Sequence, residues 1–307
     1  MQTSRYLNDI LLVLVVISTG VVAVTFPDFG SRFGGLPFYC LMALFFLSYL
    51  SMDIASIRKA LKDYPARLVL FTVMKLAILP VIVYSAFHFV APKYALSALL
   101  LTGVSTGVTA PLISNMVRGN SALVLVAVVI TSALAPFTLP AVIKIAVAKE
   151  VATSFLSMLW TLATVIFIPV IIVEIIRYLL PRLVAPILKI NFPLSLLLFT
   201  LMTLGVFYRY THFFEKEPYV IIIATLVAFV LAIIYCVVGI LFFYKESVEN
   251  HLSGAIMLAN INNVLVIVFS SEFFGPVEPL VAAMYVLPFF VIVIPLRYYY
   301  YRKLRRA

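Results

Sequence analysis

Ten apolar runs long enough to cross a bilayer follow one another along the 307-residue chain. They lie at 10–26, 36–52, 68–89, 94–117, 121–143, 151–173, 191–208, 219–244, 252–271 and 279–296. A hydrocarbon core of about 30 Å takes roughly 17–25 apolar residues as a helix, and an open chain satisfies its backbone in lipid only by being helical. The pattern therefore predicts an all-α polytopic membrane protein with ten transmembrane helices. The connectors are short and punctuated, as in FPDFGSRFGGLP and THFFEKEP, and no shift in composition sets off a soluble domain. Polar residues interrupt the pattern in three runs. The third holds Lys75, the fourth contains LLLTGVSTGVTAPLISN (99–115), and the ninth contains LANINN (258–263).

Composition narrows the class without changing it. Apolar residues make up 64% of the chain and charged residues 11%, more apolar material than a soluble core of this length needs. Soluble, disulfide-rich secreted and disordered classes are excluded. Cys40 and Cys236 lie inside apolar runs and read as packing residues. The first run is counted as a span rather than a cleaved leader.

The net charge of +10 has a topological reading in preference to a nucleic-acid one. One alternate set of connections holds only Arg32, Lys93, Lys144, Lys149, Arg209 and Lys216, and the other set, with both chain ends, holds nearly all the remaining basic residues. The richer set is expected on the cytoplasmic side. The expectation is a multi-pass protein of the cytoplasmic membrane with both termini inside, closing on RYYYYRKLRRA, tyrosines at headgroup level before a polybasic tail. Ten spans then divide into two five-span repeats, 1–149 and 150–307, the second inverted because an odd-span unit is duplicated. SALAPFTLPAVI (132–143) in span five is echoed by YVLPFFVIVIP (285–295) in span ten, and spans four and nine hold the same place in each half. Broken helices in corresponding positions of inverted repeats point to a transport site at the midplane.

The polar centres each have a plainer reading beside the functional one. Thr102, Ser105, Thr106 and Thr109 recur at spacings of three and four and share a helical face. Hydroxyls at ordinary helix contacts do the same. Gly107 and Pro111 weaken this stretch, however, and Pro111 leaves a carbonyl one turn earlier without its donor. Such backbone survives at membrane depth only against protein or a water-lined cavity, so a broken helix is expected. Asn260, Asn262 and Asn263 cannot all face one neighbour and suit an unwound segment lining a pocket. Lys75 reads as a pathway or relay residue, with a snorkelling lysine as the alternative. Glu174 and Arg177 read as an interfacial ion pair, Asp53 as a cap of span two, and His88 and Glu272 as outer-end residues in water. No metal-ligand spacing, phosphate loop or hydrolytic set occurs, so neither an enzyme nor a resident cofactor or metal is expected.

The residues also carry a resemblance. ALFFLSYLSMDIASIRKALKDYP (43–65), LAILPVIVY (76–84), RGNSALVLVAVVITSALAPFTLPAVI (118–143) and IFIPVIIVEIIRYLLPRL (166–183) resemble spans two, three, five and six of the bile acid:sodium symporter family. The resemblance implies a core domain and a panel domain, with spans four and nine unwound and crossing at the solute and cation sites. Asn262 then matches an asparagine of the family's span nine, and Ser105, Thr106 and Gly107 stand where its span four has Pro-Gly-Gly. The family's sodium ligands would fall on Ala110, Pro111, Val124, Val128, Met257 and Ile261, which offer no hard side-chain oxygen. A second register, shifted by four, places Ser114 and Asn115 on the family's Ser-Asn pair. Lys75 stands at a sodium-binding glutamine.

The expected function is secondary active transport of a small organic anion by alternating access. The site residues would be Ser105, Thr106, Gly107, Thr109, Ser114, Asn115, Asn260, Asn262 and Asn263, with Lys75 as coupling residue, and transport is expected to be sodium-independent or coupled to the proton. Sodium stays open as the coupling ion of the alternative, a sodium-coupled organic-anion or bile-acid symporter. An exporter such as the arsenite carriers is disfavoured because neither cysteine lies in span four or nine; a transport-dead membrane sensor is the rival from another class. The expected partners are the solute and the lipid bilayer, with no nucleic acid and no obligate protein partner.

Overall fold

The computed structural model describes residues 14–15, 18–52, 65–147 and 154–304, which are helical throughout their ordered elements. Asp53, the basic segment 58–62, Lys149, the first residues of spans one and six, and Arg305 and Arg306 lie outside the described residues. The main helices are α1 (Pro37–Leu50), α2 (Ala66–Val90), α3 (Ala95–Gly103), α4 (Ala110–Met116), α5 (Ser121–Ala146) and α6 (Phe155–Leu179). They continue with α7 (Pro181–Lys189), α8 (Asn191–Lys216), α9 (Tyr219–Phe242), α10 (Val248–Ala259), α11 (Asn263–Phe273) and α12 (Val277–Lys303). Six of them, α2, α5, α6, α8, α9 and α12, are long and apolar enough to cross a membrane, and α1 and α11 are shorter apolar helices. The protein is a polytopic, all-helical membrane protein.

Proline places several of these elements. Pro37 and Pro181 open α1 and α7, where the missing N–H costs nothing and φ is already helical. In α2 the effect is different. Pro80 cannot donate back along the helix, and the turn before it widens into a π-helix at Met74–Ile78, closed by Leu79 N–H to the Met74 carbonyl. The apolar pattern gave no sign of this turn. The connection after span six forms a separate, strongly amphipathic helix, α7, with no buried residue.

α1 packs against α6, α7 and α8 and reaches α11. α2, α5, α9 and α12 surround the four short helices α3, α4, α10 and α11. α9 and α10 approach most closely through glycine: a Cβ on Gly239 would lie 2.3 Å from the Gly254 carbonyl oxygen, so neither position has room for a side chain. Two ion pairs, Arg67 with Glu246 and Lys93 with Glu217, join opposite ends of α2 to opposite ends of α9. The two helices are thereby held antiparallel over the same height. Glu217 also draws the Lys93 ammonium above the usual lysine range.

Arg118-Gly119-Asn120 has a definite local function. Arg118 adopts the left-handed conformation, φ 66°. Its N–H bonds the Asn115 carbonyl at 3.3 Å, and the Gly119 N–H bonds the Ser114 carbonyl at 2.8 Å. This is a Schellman ending to α4. Asn120 then caps α5 by accepting from the Leu123 N–H at 3.2 Å. Its own N–H donates to Ser253 Oγ at 2.7 Å and its side-chain amide to Asn250 Oδ1 at 3.3 Å, which docks the turn onto α10.

Candidate functional site

The fourth and ninth runs break where their polar residues foretell it, and the breaks meet. α3 ends at Gly103 and α4 starts at Ala110; α10 ends at Ala259 and α11 starts at Asn263. Across the gap the Gly107 N–H donates to the Asn260 carbonyl at 2.6 Å, and the Asn262 N–H donates to the Ser105 carbonyl at 3.0 Å. Thr106 and Ile261 thus form an isolated antiparallel bridge. A helix end leaves carbonyls without partners, and in hydrocarbon they must find one. At the end of α10 the accounting is nearly complete. Thr106 Oγ1 donates to the Met257 carbonyl at 2.7 Å, Tyr285 Oη to the Ala259 carbonyl at 2.7 Å, and Gly107 N–H to Asn260. Thr106 is anchored in turn, its N–H donating to Thr131 Oγ1 on α5 at 3.0 Å.

Gly107 is where the strands touch. A Cβ there would lie 2.7 Å from the Ile261 carbonyl oxygen and 3.0 Å from that of Asn260. Pro111 sits in the first turn of α4, so its missing N–H leaves nothing unpaired, and the chain re-enters the helix with Ala110 N–H on the Gly107 carbonyl at 2.9 Å.

The three asparagines have three different tasks. Asn260 Oδ1 accepts from Thr109 Oγ1 at 3.3 Å. Asn262 caps α11, its Oδ1 accepting from the Leu265 N–H at 3.3 Å. Asn263 turns toward α12 and donates to the Ala282 carbonyl at 3.4 Å. Two polar atoms in the crossing, Ser105 Oγ and Asn260 Nδ2, are buried without a partner among the described residues, an arrangement that costs free energy unless something else binds them.

Ser105, Thr106, Gly107, Thr109, Asn260 and Asn262 are therefore brought together. Ser114 and Asn115 are not part of this constellation. Ser114 is buried at the far end of α4, where a Cβ on Gly119 would lie 2.6 Å from its Oγ, and Asn115 is exposed. Lys75 is buried in the π-turn of α2, which packs against α3 and α5. Ala110, Val124, Val128, Met257 and Ile261 are buried apolar residues. Glu174 pairs with Arg177 at 3.2 Å, as the spacing suggested, but Arg177 also donates to the carbonyls of Tyr49, Leu50 and Met52 at the end of α1.

Three supporting residues escape the sequence reading. Thr131 is one of a Thr-Ser pair inside α5, and Tyr235 and Tyr285 are single tyrosines in apolar surroundings. Tyr235 shares a 2.7 Å hydrogen bond with Thr102 Oγ1 in the last turn of α3, Tyr285 holds the end of α10, and their rings lie 6.1 Å apart. The available signal is a lone hydroxyl in an apolar run for Tyr235 and Tyr285, and the paired hydroxyls of Thr131 and Ser132 in α5. Among the described residues no cluster of three or more histidines, cysteines and carboxylates could hold a metal ion.

Several membrane-crossing helices around a buried meeting of two broken helices define the chain as a multi-pass membrane protein of transporter type. The chain belongs to the Sodium Bile acid symporter family, whose model matches residues 38–242. The match runs from α1 to the end of α9 and covers the α3–α4 break, while the α10–α11 break lies beyond it. The family consists of membrane transporters rather than enzymes, so a small-molecule solute and the lipid bilayer are the partners it implies. No curated protein matches the chain.

Proposed function

We propose that the protein is a secondary active transporter of a small organic anion, working by alternating access across the cytoplasmic membrane with both termini inside. Its ten spans form two inverted five-helix repeats, 1–149 and 150–307. α1, α6 and α8 belong to a panel domain, and the helices around the crossing form a core domain. The observation that carries this reading is the pair of unpartnered buried donors, Ser105 Oγ and Asn260 Nδ2, beside the main-chain bonds of Gly107 and Asn262. Neutral donors with no acceptor suit a carboxylate, which accepts several hydrogen bonds at once. Thr109, exposed at the edge of the crossing, gives the solute its approach.

Sodium is not the driving ion in this reading. The positions matching sodium ligands carry buried Ala110, Val124, Val128, Met257 and Ile261, and sodium asks for several hard oxygens with a carboxylate to balance its charge. The proton takes its place. The test is uptake of labelled organic anions, from acetate and pyruvate to taurocholate, by purified protein in liposomes. Accumulation driven by a pH gradient in sodium-free buffer supports the reading; a strict sodium requirement overturns the coupling, and no uptake of any anion overturns the substrate class.

A further inference from the structure

The side chain of Lys75 is 1% exposed, and among the described residues no ion pair or hydrogen bond reaches it. An ammonium inside a membrane bundle is costly without a balancing charge or dipole. Its position supplies one. α2 and α3 form an antiparallel hairpin in which Pro80 packs on Gly103, the proline ring 3.5 Å from where a glycine Cβ would sit. Lys75 precedes Pro80 by five residues through the π-turn, which packs against both α3 and α5. That displacement, about 7 Å along the axis, carries Lys75 past Gly103 to the level of the unwound segment 104–109.

At that level α3 presents its negative end. The contrast with α10 is informative. The carbonyls of Met257, Ala259 and Asn260 are taken by Thr106, Tyr285 and Gly107, whereas among the described residues no hydrogen bond reaches those of Leu101, Thr102 and Gly103. Among the described residues of the elements packed against it, no acidic group competes for the lysine. α3 carries no titratable side chain and α5 only Lys144, near its far end. On α2 itself Arg67 is engaged with Glu246, and Tyr84 and His88 lie beyond Pro80.

We propose that Lys75 is a tethered cation facing the C-terminal end of α3 at the crossing, and that the proton it carries is the ion coupled to solute movement. The inference rests on reading the crossing as the transport site. When the ammonium gives its proton to water it becomes a neutral amine, the end of α3 loses its compensating charge, and a bound carboxylate loses its attraction. Solute anion and proton therefore leave together, and for a monocarboxylate the step moves no net charge.

The test needs no solute, so it stands apart from the transport assay. Melting temperatures of the purified full-length protein are measured from pH 5.5 to 9.5 for the wild type, Lys75→Met and Lys75→Arg. Methionine removes the charge at similar length, and exchanging a buried charge for an apolar group is well tolerated; Lys75→Gln repeats the neutral arm. Arginine stays charged throughout. The expected result is that the wild type differs from Lys75→Met by an amount that changes with pH by several degrees, while the difference between Lys75→Arg and Lys75→Met stays constant. A wild-type difference that is flat over the whole range, or an arginine variant that follows the wild type, overturns the assignment.

Discussion

The Gly107 N–H meets the Asn260 carbonyl at 2.6 Å, joining two residues far apart in sequence across the gap between two broken helices. The contact exists because Gly107 has no side chain in the way and because each broken helix has main-chain groups to satisfy. It makes the crossing a shared structure in which either break alone would be unstable in hydrocarbon.

Gly107→Ala should therefore separate the breaks. The new methyl would meet two backbone oxygens, those of Ile261 and Asn260, and neither can swing aside. Overpacking of this kind costs about 1–3 kcal/mol. A clear fall in melting temperature is expected, whereas Gly35→Ala, with nothing within 4 Å of the added atom, should melt like the wild type. Equal melting of the two variants would show that the breaks are not in contact.

The two buried tyrosines should differ in worth. Tyr285→Phe strips the Ala259 carbonyl of its donor, a loss of about 1 kcal/mol in a membrane bundle. Tyr235→Phe leaves Thr102 still bonded to the Ala98 carbonyl at 2.5 Å, so its cost should be smaller. Melting of the two single variants gives the order directly, and the reverse order would mean that the tyrosine on α9 is the main support.

Asn120 should separate capping from docking. Asn120→Ala removes the acceptor for Leu123 N–H and the donor to Asn250, and a lost N-cap costs about 0.5–2 kcal/mol. Asn120→Asp keeps the acceptor and loses only the donor. The aspartate variant should recover most of the melting temperature lost by the alanine variant; no recovery would place the role of Asn120 in its contact with α10.

Sodium should be thermodynamically silent. A ligand that binds the folded state raises its melting temperature. Replacing sodium by potassium at constant ionic strength should leave the wild type unchanged, because the matching positions are apolar. A rise specific to sodium would reveal a site built from carbonyls and hydroxyls.

Much of this architecture is legible from residues. The breaks are placed by Gly107, Pro111 and the run of asparagines, because glycine and proline weaken a helix locally and buried amides demand partners. What the pattern cannot give is which partner each polar group finds. Ser114 and Asn115 enter the expected site through a register shifted by four, but the restart of the helix at Ala110 carries them away from the crossing. Thr131, Tyr235 and Tyr285 were hidden because a single hydroxyl in an apolar helix usually bonds its own backbone, and only tertiary packing decides otherwise. The π-turn at Lys75 depends on how Pro80 is accommodated, which a linear pattern does not record.

In the proposed mechanism the crossing of α3–α4 with α10–α11 holds the solute. Organic anions are screened for a rise in melting temperature of the wild type, and each positive is repeated with Thr106→Ala and Asn260→Ala. At least one anion should stabilise the wild type and lose most of that effect in both variants. An anion that stabilises both variants as strongly as the wild type would place the solute elsewhere in the protein.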